Sequence, residues 1–197
     1  MQSWAGVWAG VWAGVWVGVS TTSDDAHTGR AGVPLPSIGV ATNPSPDLLL
    51  TPLGGKPLTV REQLTTFHLF LVAVEPNEPE SRAILKPATR IFDCFDEADV
   101  RMAWLVASDE TTARKFLGPL ADRFLTFIDA DRSVVRGFAL GALPAAVHLL
   151  PDGTLAGHTA GWQPDEWRTI TDELARMMSW TAPAVPGPKD PAAFSPA

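Results

Sequence analysis

Few residues of this sequence combine the type and the spacing that catalysis requires. Ser81 follows Glu78 and Glu80 in the stretch EPNEPESR, an arrangement that would suit a serine nucleophile beside a carboxylate base. No histidine is close to this serine in the sequence, and a surface carboxylate is a poor base, so we expect Ser81 to cap the start of a helix. The two glutamates suit the same helix start, and we expect Arg82 to pair with them at the surface.

Thiol and imidazole chemistry are the remaining possibilities. Cys94 is the only cysteine, which excludes a disulfide within one chain and a cysteine-built zinc site. It lies late in a predicted helix, where the helix dipole disfavours a thiolate, so we expect a small residue in or near the core. His148 and His158 could face each other across a predicted hairpin, but two ligands without a third do not predict a metal site. We therefore expect neither a metal nor a cofactor, since Walker-type and G-x-G-x-x-G motifs are also absent.

The composition is that of one acidic globular domain. The chain has 197 residues, of which 46% are hydrophobic, and its formal net charge is −7. This length suits a single domain with a hydrophobic core. The negative charge argues against nucleic acid and against an anionic membrane surface as general partners.

Three interpretations of residues 1–20 remain open, because the tetrapeptide AGVW recurs there with a tryptophan at every fourth position. The first is a low-complexity leader without a folded role, which would leave a cytoplasmic protein. The second is a signal peptide, although no basic residue precedes Arg30. The third is a short, glycine-rich membrane helix, so an exported or membrane-anchored protein is the alternative. Composition further predicts that residues 1–45 are leader and disordered linker, and that residues 181–197 are a disordered Pro/Ala-rich tail.

Residues 46–180 form the predicted folded domain, in which strands alternate with helices. The predicted elements are, in order, a hairpin (48–50 and 58–60), a strand (67–74), a helix (80–95), a strand (100–106), a helix ending at 118–119, a strand (125–128), a short helix (131–138), a second hairpin (145–150 and 154–158) and a helix from residue 164. This order predicts an α/β fold with a parallel core and an antiparallel edge.

Three segments carry a resemblance to a known family. They are SPDLLLTPLGGKPLTVREQL (45–64), DADRSVVRGF (129–138) and LGALPAAVHLLPDGTLAGHTAGW (140–162). In this order they resemble the N-terminal hairpin and the second half of the thioredoxin-like superfamily, within it the redoxin group of TlpA-like disulfide reductases and AhpC/TSA peroxiredoxins. The resemblance implies a thioredoxin-like fold: a central mixed sheet flanked by helices, with an added N-terminal β-hairpin.

The resemblance also implies where a site would lie. Pro144 falls on the family's cis-proline, and the backbone of the preceding residue, here Leu143, pairs with bound substrate in the family. Pro87 matches the proline that follows the family's cysteine motif. Counting back from Pro87 places the C-x-x-C tetrapeptide at residues 79–82, or at residues 78–81 if the alignment shifts by one residue.

Neither alignment supplies a cysteine. The positions concerned are Glu78, Pro79, Glu80, Ser81 and Arg82. The family's chemistry needs a thiolate at a helix N-terminus, so no residue of this loop is predicted to be catalytic. We therefore predict a non-catalytic binding or accessory member of a thiol-redox family, with a peptide or protein partner in the groove beside Leu143 and Pro144. The alternative is a thiol-dependent oxidoreductase or peroxidase that acts through Cys94 or with a partner protein.

Overall fold

The structure is a computed structural model that describes residues 41–196. The predictions for residues 1–40 lie outside the described residues. The strands are β1 (Leu49–Pro52), β2 (Leu58–Thr59), β3 (His68–Val74), β4 (Val100–Val106), β5 (Leu125–Ile128), β6 (Ala145–Leu149) and β7 (Leu155–Ala160). The helices are α1 (Val60–Leu64), α2 (Pro79–Ala83), α3 (Leu85–Cys94), α4 (Glu110–Leu117), α5 (Leu120–Arg123), α6 (Ser133–Gly137) and α7 (Pro164–Met178).

The described strands form one mixed sheet of seven strands, in the order β2-β1-β5-β4-β3-β6-β7. Strands β3, β4 and β5 are parallel neighbours and make the core of the sheet. Strand β6 runs antiparallel to β3, and β7 antiparallel to β6, while the β1–β2 hairpin joins through an antiparallel pair with β5. This topology confirms the predicted mixed sheet with an added N-terminal hairpin.

Strand β3 is apolar from Leu69 to Val74 because both faces of the sheet are covered there. On one face Phe70 packs in a cluster with Phe92 of α3 and Trp104 of β4, and the last two rings lie 4.7 Å apart. On the other face Leu71 packs in a second cluster that includes Phe138. Burying each such side chain contributes about 1.5–3 kcal/mol, so the two layers fix the end of β3 and the loop that follows it.

The predicted helix over residues 80–95 is two helices in the structure. Helix α2 ends at Ala83, and α3 begins at Leu85. Pro87 explains the break, because a proline has no amide to donate to the carbonyl of Ala83, four residues earlier. The short α2 is therefore a separate element at the end of the loop.

The structure differs from the prediction of a disordered tail, because residues 181–196 pack against α3 and α7. Val185 is buried, and its carbonyl accepts a hydrogen bond from Arg168 Nε. Asp190 forms an ion pair with Arg90, and Phe194 forms a β-bridge with Trp162. Composition misled the prediction, since a few well-placed anchors hold a segment that is poor in large apolar residues. Within residues 41–196, no helix has the length and apolar character needed to cross a membrane.

Candidate functional site

The loop between β3 and α2 lies at the carboxyl end of a central parallel strand, where sites are common in α/β folds. The chain leaves β3 at Val74, and a turn closes as the amide of Glu78 donates to the carbonyl of Glu75 at 3.1 Å. Pro79 then opens α2, at a helical position where its missing amide has no consequence. An open surface depression of about 440 Å³ is lined by residues 76–79 and by Arg82 and Ala83 at the end of α2.

Ser81 holds this loop rather than capping the helix. The side chain is fully buried, and Oγ accepts a hydrogen bond from the amide of Glu75 at 2.9 Å. Glu78 occupies the N-cap position instead, without a side-chain hydrogen bond to the helix. The prediction of a Ser81 cap is therefore wrong. This buried hydroxyl already accepts a backbone amide and has no base bonded to it among residues 41–196, so it is not arranged as a nucleophile.

Glu80 and Arg82 also depart from their predicted surface ion pair. The guanidinium of Arg82 lies over the ring of Phe116 in α4, with Cζ 5.1 Å from the ring centroid. Glu80 Oε2 is buried and has no hydrogen-bond partner among residues 41–196. A cation over an aromatic face gains electrostatic attraction and covers apolar surface, which explains the position of Arg82.

Two charged residues that sequence reasoning missed brace the loop. Arg132 Nη1 pairs with Glu75 Oε2 at 3.0 Å, and Asn77 Nδ2 donates to the other carboxylate oxygen of Glu75 at 3.4 Å. Arg132 follows β5 and adopts a left-handed conformation, φ 59°, at the start of α6. The carboxyl ends of parallel strands share one edge of a sheet, so the position of Arg132 after β5 was the available signal.

Asp129 anchors the segment that carries Arg132. Its carboxylate is buried and accepts the amides of Val134 at 3.0 Å and Val135 at 2.8 Å. Ser133 Oγ donates to the same carboxylate at 3.3 Å. These bonds satisfy the first amides of α6, so this carboxylate has a structural role.

Leu143 and Pro144 lie at the same edge of the sheet as the loop. Ala145 pairs with Ala73 in β3, so the two residues before it continue alongside the end of β3. The peptide bond between Leu143 and Pro144 is cis, and both residues are buried. On the other side, the amide of Gly161 donates to the carbonyl of Pro144 at 2.7 Å. Neither the amide nor the carbonyl of Leu143 makes a hydrogen bond with the described residues.

Cys94 is far from this edge. It is the last residue of α3, half-buried, and its thiol donates to the carbonyl of Thr181 at 3.4 Å. Burial raises the pKa of the Cys94 thiol. Helix α3 alone, from Leu85 to Cys94, is about 15 Å long at 1.5 Å per helical residue, and Cys94 lies at its far end. The structure does not bring the thiol to the loop.

His148 and His158 do not face each other across the hairpin of β6 and β7. Val147 pairs with His158, and His148 pairs with Gly157, so the two imidazoles lie on opposite faces of the sheet. His148 instead meets His68 of β3, with Nε2 and Nδ1 2.9 Å apart. Among residues 41–196, no three His, Cys, Asp or Glu side chains are arranged to hold a metal ion.

The sheet and the placing of the loop beside Leu143 and Pro144 define a thioredoxin-like fold. Solved structures agree: a peroxiredoxin Q from Xanthomonas campestris is 16% identical, with a TM-score of 0.56 over 73% of this chain and 98% of that one. The thioredoxin domain of a thiol-disulfide oxidoreductase from Bacteroides vulgatus is 11% identical, with a TM-score of 0.55 over 68% and 98%. A secreted Mycobacterium tuberculosis disulfide oxidoreductase homologous to E. coli DsbE is 21% identical, with a TM-score of 0.50 over 61% and 91%.

These likenesses establish the fold. No family model matches the sequence, and no curated protein matches it. The neighbours are named for thiol chemistry, whereas this chain has a single cysteine outside the loop. The function has to be argued from the residues at the edge of the sheet.

Proposed function

We propose that this protein binds an extended peptide segment of a partner, without thiol chemistry, in the groove between residues 78–82 and Leu143–Pro144. The observation that carries the proposal is the backbone of Leu143, a residue that is 3% exposed and makes no backbone hydrogen bond with residues 41–196. Buried backbone groups are almost always hydrogen-bonded, so an amide and a carbonyl without a partner among residues 41–196 are the groups that a bound peptide would pair with. A peptide in extended conformation supplies one in β-strand addition.

Contacts among the described residues hold the two segments that would form the proposed groove. Ser81 and Arg132 fix the loop through Glu75, and Gly161 fixes Pro144. A pre-formed groove needs less ordering on binding, and this favours affinity. None of these contacts involves a thiol, so the geometry needed for binding does not depend on redox chemistry.

The same geometry argues against catalysis by the loop. Residues 78–82 contain no cysteine, and the raised pKa of Cys94 lowers the fraction of reactive thiolate. The thiol is also engaged with the carbonyl of Thr181. The alternative function is a thiol-dependent oxidoreductase or peroxidase that acts through Cys94 or with a partner protein.

An activity assay separates the two functions. We expect the wild type and Cys94→Ser to show equal background rates of insulin reduction and of peroxide consumption with a thiol donor. Activity that is present in the wild type and lost in Cys94→Ser would refute the non-catalytic proposal.

Binding is tested at Leu143 itself. Peptides are selected from a displayed random library on the wild type and counter-selected on Leu143→Pro, which lacks the amide donor. We expect the selected peptides to slow hydrogen exchange at the Leu143 amide of the wild type about tenfold or more, as pairing protects it. The amides of β3 serve as the internal reference. If bound peptides leave the exchange of Leu143 unchanged, the groove is not the binding site.

A further inference from the structure

The C-terminal tail is bound to the domain through a carboxylate that is almost fully enclosed. Arg90 Nη1 and Nη2 donate to the two carboxylate oxygens of Asp190 at 2.7 and 2.6 Å, and the amide of Gly187 donates to Oδ2 at 2.7 Å. The Asp190 side chain is 2% exposed. Arg90 Nη2 also donates to the carbonyl of Ala184 at 3.1 Å. Paired, parallel bonds of this kind are the geometry by which an arginine recognises a carboxylate.

Four residues later the tail pairs with the domain as a strand does. The amide of Trp162 donates to the carbonyl of Phe194, and the amide of Phe194 donates to the carbonyl of Trp162, both at 2.9 Å. Gln163 Nε2 also donates to the carbonyl of Phe194, at 3.0 Å. Trp162 Nε1 donates to the carbonyl of Pro191 at 3.1 Å. The tail is thus recognised by backbone and side chains at once.

The domain also fits the tail by shape. Gly161 has a positive φ of 71°, and a Cβ atom there would lie 2.5 Å from the carbonyl oxygen of Phe194. A larger residue would prevent the tail from approaching. On the tail side, a Cβ at Gly187 would lie 2.6 Å from Cζ of Arg90. Close approach of this kind is typical of a ligand seated in a formed site.

We propose that Arg90, Gly161 and Trp162 form a peptide-binding site that this chain fills with its own residues 183–196. The site takes an extended peptide with a carboxylate four residues before an aromatic side chain, as in Asp190 and Phe194. A tethered ligand has a high effective concentration, so the site stays occupied by the tail until a competing segment is abundant or the tail is weakened. This site adjoins the groove at Leu143 through Gly161, whose amide bonds the carbonyl of Pro144, but its test changes only Asp190 and Phe194 and does not depend on that proposal.

The tail is weakened in the full-length protein by Asp190→Asn, which keeps the shape of the side chain and removes its charge. We expect hydrogen exchange at the Trp162 amide to accelerate about tenfold or more, because the paired, charge-assisted bonds from Arg90 that hold the tail are weakened. The matched control is Asp93→Asn. Asp93 lies in α3, as Arg90 does, and its ion pair with Arg123 of α5 would be lost, but the exchange rate of the Trp162 amide should not change. Unchanged exchange at Trp162 in Asp190→Asn would overturn the proposal.

Occupancy by a separate peptide is measured with a fluorescent synthetic peptide of residues 183–196. We expect it to bind Asp190→Asn at least about tenfold more tightly than the wild type, whose site is filled, and to restore slow exchange at Trp162. The same peptide with asparagine in place of its aspartate should bind the Asp190→Asn variant more weakly than the unmodified peptide does. Equal binding to the wild type and Asp190→Asn, or no binding to either, would show that the tail is not a displaceable ligand.

A second variant keeps the test decisive if Asp190→Asn does not fold. Phe194→Pro removes the amide that donates to Trp162 but leaves the ion pair of Arg90 and Asp190 in place. We expect faster exchange at Trp162 and tighter binding of the peptide in this variant too. If both effects are absent, the proposal is refuted.

Discussion

Acidification is expected to destabilise the domain through one pair of histidines. His68 Nδ1 and His148 Nε2 lie 2.9 Å apart, and the rings stack with centroids 5.1 Å apart. The pKa of His148 is lowered from 6.5 to about 4, mainly by burial and secondly by the positive charge of His68. The negative charge of Glu173 in α7 raises this pKa, but by less. Burial also lowers the pKa of His68.

The sign of the effect follows from these lowered pKa values. Between about pH 6.5 and pH 4 the unfolded chain binds a proton that the folded protein does not, so stability falls as the pH falls. At 1.36 kcal/mol per pKa unit, His148 would account for a loss of about 3 kcal/mol by pH 4 and of about 2 kcal/mol by pH 5. The stability is fully regained above about pH 6.5. His148 is 1% exposed, so solvent does not screen this cost appreciably.

Urea unfolding at about pH 7.5 and about pH 5 measures the effect. Between these two pH values, we expect the free energy of unfolding of the wild type to fall by about 2 kcal/mol more than that of His148→Leu, which has no titrating group at that position. The matched control is His158→Leu, on the neighbouring strand β7. This variant keeps the pair of His68 and His148, so its free energy of unfolding should fall with pH as much as that of the wild type. If His148→Leu loses as much stability as the wild type, the buried pair is not the source of the acid sensitivity.

Three further substitutions test the framework by urea unfolding at neutral pH. Phe92→Ala should cost about 3–5 kcal/mol, because it opens a cavity beside Trp104, and a loss below 1 kcal/mol would contradict the packing. Asp129→Asn should cost about 1.5–3 kcal/mol, since it removes the charged acceptor at the start of α6, and the exposed Asp131→Asn is the control that should cost less. Thr59→Ala should cost about 1 kcal/mol by breaking the capping box with Glu62, and no change would argue against that cap.

The elements of the domain were predictable because their signals are local. The apolar run of β3, the Pro151-Asp152-Gly153 turn between β6 and β7, and Pro164 at the start of α7 each mark an element without reference to distant residues. The break between α2 and α3 was also local, at Pro87. It was missed because apolar spacing continues across it and suggests one helix.

What the sequence did not reveal depends on residues far apart in the chain. Glu75 and Arg132 are separated by 57 positions, His68 and His148 by 80, and Arg90 and Asp190 by 100. Nothing in the composition of the tail distinguishes a bound segment from a free one, because its binding depends on Arg90 and Trp162 in the folded domain. The partner of Arg82 was mispredicted for the same reason, because Phe116 lies in a different helix. Ser81 differs, since its partner is the amide of Glu75, only six positions away across the turn before α2.

The shape of the loop between β3 and α2 does not depend on cysteines. Thiol chemistry would require a reactive sulfur at the start of α2, and Pro79 stands at the first helical position there. The shape of the loop depends instead on Ser81, which accepts the amide of Glu75, and on Arg132, which pairs with its carboxylate. None of these contacts involves a thiol. The loop therefore has the fixed shape that the proposed binding of a peptide requires, without the sulfur that thiol chemistry requires.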